Sequence, residues 1–274
     1  MDYGTSIFLT DETIGPAHLA RLVEERGFRS LFVPEHTHIP VTMSRPLSAD
    51  EELPRHYYRC LDPFVALTAA AAATTTLRIG TGICLLIQRD PITTAKEIAT
   101  LDLLSGGRFE FGIGAGWNKE EIENNGTDFS RRFGVMRERM EAMTEIWTND
   151  VASYHGEHVS FHEITSWPKP VQRPRPPVLI GGNGEKVLDR VLAYADGWIP
   201  NREPRLGERI AELHRRAAEA GKPRMRVTYF GADRDAGCVE RLTAAGVDEI
   251  QFYLPSADAG TVERSLDEIA KLIV

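Results

Sequence analysis

The sequence is poor in cysteine: Cys60, Cys84 and Cys238 are odd in number and far apart. That spacing excludes a disulfide framework and a zinc knuckle, and it suits a reducing cytoplasm. No apolar run approaches the roughly 20 residues that cross a bilayer; the longest bland stretch, 69–73, reads as part of a helix. The N-terminus, Met1-Asp-Tyr-Gly-Thr-Ser-Ile-Phe-Leu, has no basic segment ahead of its apolar residues, so no secretory leader is expected. Basic residues are outnumbered, 32 Lys and Arg against 40 Asp and Glu, giving a net charge of −8. That balance speaks against a nucleic-acid partner. Beyond one close pair of histidines nothing has metal-ligand spacing, so no metal is expected.

The dinucleotide fingerprint is missing too. The run Leu104-Ser-Gly-Gly-Arg-Phe-Glu-Phe-Gly-Ile-Gly-Ala-Gly-Trp117 has glycines at 112, 114 and 116. G-x-G-x-x-G would need its third glycine at 117, where Trp stands. What is present is a strand, 109–113, that runs into glycines at alternate positions. Glycine has no Cβ, so such a strand end lets a backbone or a flat ligand come close.

Around that run the chain alternates strand and helix eight times. Strands are expected over 5–9, 30–33, 77–83, 109–113, 178–181, 197–199, 226–230 and 249–254. Helices follow over 15–26, 63–74, 91–105, 131–147 (after a short polar helix), 184–194, 204–220, 236–245 and 260–273. Leu19, Leu22 and Val23 give the first helix its apolar face, and Gly27 stops it. Asp90-Pro91 starts the third as N-cap and N1. Between 149 and 177 lies an irregular insertion that can form a hairpin, 151–154 with 158–161, closed by a proline-rich passage. Eight such units in 274 residues predict an α/β fold: a (β/α)8 TIM barrel, one domain over 1–274, with the insertion near the barrel mouth. A doubly wound sheet would use fewer strands and a true phosphate fingerprint.

In a barrel the chemistry sits at the C-terminal strand ends. Those ends carry Pro34-Glu-His-Thr-His38, Gly82-Ile-Cys84, Gly114-Ala-Gly-Trp-Asn118, Gly181-Gly-Asn-Gly-Glu-Lys186 and Pro200-Asn201. Gly181 to Gly184 open a helix after a buried strand, so their N–H groups suit a phosphate; Asn183 could instead cap the helix. His36 suits a proton donor or a polar contact to a ligand ring, or a plain loop histidine bonded to backbone. Glu110 is expected in the barrel core, paired with Arg78. Trp117, Trp167 and Trp198 are candidates for stacking at the mouth or for packing under loops.

These motifs, together with Gly27-Phe-Arg-Ser-Leu-Phe-Val-Pro-Glu-His36, Leu77-Arg-Ile-Gly-Thr-Gly-Ile83 and Ala195-Asp-Gly-Trp198, resemble the luciferase-like superfamily of flavin and deazaflavin enzymes. The branch most similar is the oxidoreductases that depend on coenzyme F420. The resemblance implies a barrel, usually a homodimer, with a deazaflavin or FMN across the strand ends and a small-molecule substrate. It implies His36 near the reactive edge of the ring, with Glu35 beside it. It implies Gly82 and Ile83 as a bulge against the ring, often through a non-prolyl cis peptide. Gly114, Ala115 and Gly116 match the wall of the fourth strand, and Gly181, Gly182, Asn183 and Gly184 the phosphate loop. A Ser often stands at the position of Gly184 in the monooxygenases, so the loop is closer to the deazaflavin branch. Arg131, Arg132, Arg173 and Arg175 could meet an acidic cofactor tail. Pro40 stands where some relatives have an aromatic, which sets aside the sugar-phosphate dehydrogenase mechanism. An FMN monooxygenase and a cofactor-free binding protein are the alternatives. The loop 34–61 and the hairpin are expected to shape the substrate end.

Overall fold

The computed structural model describes residues 1–44 and 52–273. Eight parallel strands close into a barrel: β1 (Asp2–Ser6), β2 (Ser30–Val33), β3 (Arg78–Thr81), β4 (Phe109–Ile113), β7 (Val178–Gly181), β8 (Gly197–Ile199), β9 (Arg226–Phe230) and β10 (Glu249–Tyr253). The ring closes where Asp2 to Ser6 of β1 pair with Glu249 to Tyr253 of β10. The remaining strands, β5 (Ala152–His155) and β6 (Ser160–Ile164), form a separate antiparallel hairpin. The helices are α1 (Pro16–Glu25), α2 (Pro63–Ala72), α3 (Pro91–Leu104), α4 (Lys119–Asn124), α5 (Arg132–Thr148), α6 (Val187–Tyr194), α7 (Leu206–Glu219), α8 (Ala236–Ala244) and α9 (Ala259–Ala270). This is the expected TIM barrel.

Two boundaries differ from expectation for physical reasons. The first strand lies at Asp2–Ser6, because its ladder to β10 runs from Asp2 through the polar Thr5 and Ser6 and ends there. The apolar residues 7–9 carry the chain on toward the mouth. The third strand ends at Thr81 instead of 83; the chain bulges at Gly82 and rejoins the sheet at Cys84, opposite Ile113.

The two ends of the barrel are filled differently. Near the N-terminal ends, Glu110 accepts from Arg226 (2.7 Å) and Arg78, as the sequence led one to expect for Arg78. Arg226 also reaches Glu249, which is bonded to Ser30 and Gln251. Toward the C-terminal ends, Phe32, Leu179, Ile199 and Phe230 form a separate apolar cluster. The Phe32 and Phe230 rings meet edge to face, 5.4 Å apart. A Cβ on Gly82 would lie 2.4 Å from the Phe230 ring, so only glycine passes there.

The hairpin is seated on α5. Glu138 accepts from the N–H groups of His158 (2.6 Å) and Val159 (3.2 Å), and Tyr154 donates to Glu141. Arg131 pairs with Glu157 at the start of α5. The hairpin is thus anchored beside the mouth. Among the described residues, no helix is long and apolar enough to cross a membrane.

Candidate functional site

Above the apolar cluster, the strand ends enclose a cavity of about 420 Å³. Its wall includes Glu35 and His36 after β2, Gly82 and Ile83 after β3, Gly114, Ala115 and Gly116 after β4, and Gly181, Gly182 and Gly184 after β7. The fold therefore gathers His36, Glu35 and every glycine-loop candidate named for the cofactor except Asn183. No hairpin residue borders this cavity, contrary to the expectation that the insertion shapes it. Of the loop 34–61, Tyr57 does border it, while residues 45–51 lie outside the described residues.

Ile83 is the centre of one wall. The Gly82–Ile83 peptide is cis. The Ile83 side chain occupies the space that neighbouring side chains would otherwise take. A Cβ on Gly114 would sit 2.7 Å from Ile83 Cδ1, and one on Gly181 2.7 Å from Ile83 Cγ2. Both distances are far inside van der Waals contact, so these two glycines serve Ile83 before they serve any ligand. The result is a smooth apolar surface at the bottom of the cavity.

His36 stands on another side. Its Nδ1 lies 2.7 Å from Glu121 Oε2, and both side chains are buried. Glu121 also accepts from the Thr37 N–H (3.0 Å). Asn118 caps α4 and accepts from the Glu121 N–H (3.2 Å), which fixes where that carboxylate stands. A carboxylate at Nδ1 sets the tautomer and the ring orientation, leaving Nε2 for a partner in the cavity. Trp117 and Tyr57 flank the imidazole at 5.8 and 5.3 Å. Burial holds the Tyr57 phenol above its ordinary value, so near neutral pH it is an uncharged donor. His38 lies away from this pair, bonded to Thr37 and Asn124.

Glu121 was missed in the sequence. It lies 85 residues from His36, in a short polar helix where an acid in the first turn reads as a dipole partner. Its signal was present: Asn118 and Glu121 have the N-cap and N3 spacing of a capping box.

Glu35 borders the cavity, but its carboxylate is engaged elsewhere. It accepts from the Leu85 N–H (2.6 Å) and from Arg89 (2.6 Å), which also holds Asp62. Burial disfavours the charge on Arg89, yet Glu35 outweighs it and the pKa is raised. Glu35 thereby fixes the loop that carries Ile83. Burial also pushes the Cys60 thiol up to about 12 and Cys84 well above its usual value, so neither is a nucleophile.

The last wall is the loop 181–186. Its carbonyls are occupied: Trp198 Nε1 donates to Gly182 O (2.8 Å), and Arg209 donates to Asn183 O (2.7 Å) and Gly184 O (3.0 Å). Gly182 has a φ of +119°, a conformation side-chain-bearing residues rarely take, and open space beside it. The N–H groups of Gly184 and Glu185 have no partner among the described residues. The helix begins at Val187, three residues later than expected, so Asn183 does not cap it. Asn183 binds Asn201 instead (Nδ2 to Oδ1, 3.0 Å) and ties this loop to the one after β8.

Other expectations need correction. Trp198 is fully buried and acts through its bond to Gly182. Trp167 is exposed, and its carbonyl accepts from Lys96 on α3. Arg175 pairs with Asp196, which accepts from the Val178 N–H, so it lies at the N-terminal end of β7. Arg173 precedes it in the same passage. Neither can meet a cofactor at the opposite end.

Fold and site define a TIM-barrel protein with a glycine-lined cavity at the strand ends. The chain belongs to the luciferase-like monooxygenase family, whose model matches residues 16–240. That family comprises flavin- and F420-dependent oxidoreductases and monooxygenases. The chain is 41% identical, over 98% of both chains, to the uncharacterised protein Rv0953c of Mycobacterium tuberculosis. Among solved structures it is similar to the monooxygenase RslO1 of Streptomyces bottropensis, with a TM-score of 0.82, 19% identity and coverage of 100% and 98% of the two chains. It is also similar to the coenzyme F420-dependent tetrahydromethanopterin reductase of Methanopyrus kandleri, with a TM-score of 0.76, 18% identity and coverage of 99% and 98%. At those identities the likeness concerns the fold.

Proposed function

We propose that this protein is an oxidoreductase that passes a hydride between coenzyme F420 and a small, uncharged organic substrate. The observation that carries the reading is the division of one cavity into three parts: the Ile83 surface, the His36–Glu121 pair and the N–H-bearing loop 182–185. A flat ring with a phosphorylated side chain suits all three. When bound, the deazaflavin supplies a ring carbon that accepts or donates hydride and reacts little with oxygen.

The chain's own residues do the rest. Gly114 and Gly181 let Ile83 support one face of the ring. Gly184 and Glu185 offer N–H groups to the phosphate, as loops entering a helix do, while the Gly182 N–H is held by Ile199 O. His36, oriented by Glu121, donates or accepts a proton at Nε2 as charge develops on the substrate. Phe8, Tyr57, Trp117 and Tyr253 line the cavity without bringing a charge, which favours a neutral substrate and keeps water out.

The second reading is an FMN-dependent monooxygenase, supported by the fold likeness to RslO1. Fluorescence titration of the purified protein with F420 and with FMN separates the two. Tighter F420 binding, with substrate reduction in the absence of oxygen, supports the first; tight FMN binding with oxygen consumption replaces it by the second. Binding of neither points to a cofactor-free member.

We also propose a cytoplasmic homodimer. The exposed Val65 on α2 and Ile92, Leu103 and Leu104 on α3 supply an apolar face. Sedimentation showing only monomer at micromolar concentration would sink that part.

A further inference from the structure

The anion end of the cavity has a feature that the glycine loop does not explain. Arg190 lies on α6, one turn in from its start, and borders the cavity. Its guanidinium carbon lies over the Phe133 ring, 3.6 Å from the centroid.

The other sheltered arginines are spoken for. Arg78 and Arg226 meet Glu110, Arg89 meets Glu35, and Arg209 meets Glu203. Arg108 and Arg139 donate to backbone carbonyls. Arg190 has no carboxylate and no hydrogen-bond acceptor for its side chain among the described residues. The acid beside it, Asp189, is engaged by Arg216 (2.6 Å). Burial disfavours the charge on Arg190, and the pKa is lowered in spite of Tyr194 and Asp189 nearby. A half-buried cation without a counter-charge, at the edge of a cavity, is poised for an anion from outside the chain.

Its posture indicates which anion. A guanidinium stacked on an aromatic face keeps its in-plane N–H edge free, and that fork matches the oxygens of phosphate. Val187, three residues earlier on the same helix face, borders the cavity too. The N–H groups of Gly184 and Glu185 lie just before it in the chain.

We infer that Arg190, held by Phe133, is a phosphate-binding residue of this cavity and shares the cofactor's phosphate with the N–H groups of the 182–185 loop. The inference rests on the cofactor reading above, and its test separates the two.

Wild type, Arg190→Gln, Arg190→Lys and Phe133→Leu are titrated with FMN against riboflavin, which differ in the phosphate alone, and with F420 against its riboflavin-level core, which lacks both the phosphate and the acidic tail. In wild type the phosphorylated member of a pair binds more tightly. Arg190→Gln should cut that advantage about tenfold or more, the scale of a charge-assisted bond, and leave the core's affinity within about twofold. Arg190→Lys should restore part of it. Phe133→Leu should give a smaller loss of the same kind. The pair that shows the effect tells which cofactor supplies the phosphate. An equal loss for both members of a pair, or no loss, overturns the inference. If no ring compound binds the wild type, the cofactor reading falls, and inorganic phosphate decides about Arg190. A phosphate-induced rise in melting temperature that Arg190→Gln abolishes sustains the inference; an equal rise in both proteins, or none in either, overturns it.

Discussion

The two ends of this barrel use the same strands for opposite purposes. At the N-terminal end charges are paired within the chain: Arg78 and Arg226 meet Glu110, and Arg226 meets Glu249, which Ser30 and Gln251 also bond. At the C-terminal end side chains are withheld: Gly82, Gly114, Gly181 and Gly182 stand where other barrels have bulk, and a cavity opens. There His36 is paired with Glu121 through Nδ1 and presents Nε2, and Arg190, over an aromatic ring, has no carboxylate partner among the described residues. The difference teaches where stability and function are separately encoded, one turn of strand apart.

The sharpest way to break that comparison is at the closed end. Arg226→Met should strip both Glu110 and Glu249 of a partner and cost about 3–5 kcal/mol, as removing one member of a buried ion pair does. Urea unfolding would measure it. A loss under about 1 kcal/mol would mean that the network is not what holds this end.

The same end makes a prediction about pH. Glu249 is raised from 4.5 to about 7, first by burial, with Arg226 opposing and Glu110 adding. The folded state therefore holds this proton at a pH where the unfolded chain has released it. Its contribution to stability is complete below about 4.5 and is lost as pH rises through about 7. Unfolding free energy should fall between pH 5 and pH 8 by on the order of 1–3 kcal/mol from this group. Glu249→Gln should flatten that slope; an unchanged slope would assign the titration elsewhere.

At the open end, His36→Ala should lower turnover by roughly 10²-fold or more, and it should also cost some stability, because it leaves the buried Glu121 carboxylate with one partner fewer. Glu121→Gln, which keeps the size and loses the charge, should lower turnover less and shift the pH profile, since it acts through His36. Full turnover in both variants would remove the pair from the mechanism.

The sequence made much of this legible. The glycine runs at 112–116 and 181–184 mark strand ends because nothing else in a strand tolerates such spacing, and the eightfold alternation follows from periodicity. What stayed hidden depends on contacts across the barrel. Glu121 reaches His36 only because α4 follows β4 and the 34–40 loop folds over it. Arg190 is one helical turn from the glycine loop, at the border of the apolar face made by Val187, Leu188 and Val191. The arginines clustered in sequence, at 131–132 and 173–175, are more conspicuous than Arg190, and the latter pair lies at the opposite end of the barrel. Asn183 counts in the sequence as part of the phosphate loop, with a cap as the alternative, because a helix is expected to begin at 184; three further residues of loop leave its side chain on Asn201.

The smallest expected effect tests the withheld side chains directly. If Gly114 is glycine only to admit a ligand, then Gly114→Ala should weaken cofactor binding and leave the apoprotein as stable as before. The geometry says otherwise. The new methyl would meet Ile83 Cδ1 at 2.7 Å and Cγ1 at 2.9 Å. Overpacking of that kind costs about 1–3 kcal/mol, and it would be felt without any ligand. Pushed off Gly114, Ile83 is displaced where it borders the cavity. Binding should therefore weaken together with stability, and Ile83→Ala in the same chain should recover the stability by removing both clashing atoms. It should not recover binding, since the surface that supports the ring would be gone. Thermal unfolding of the two single variants and the double variant, each with and without cofactor, separates these terms. Stability restored together with full binding would mean that Ile83 fills space and supports nothing.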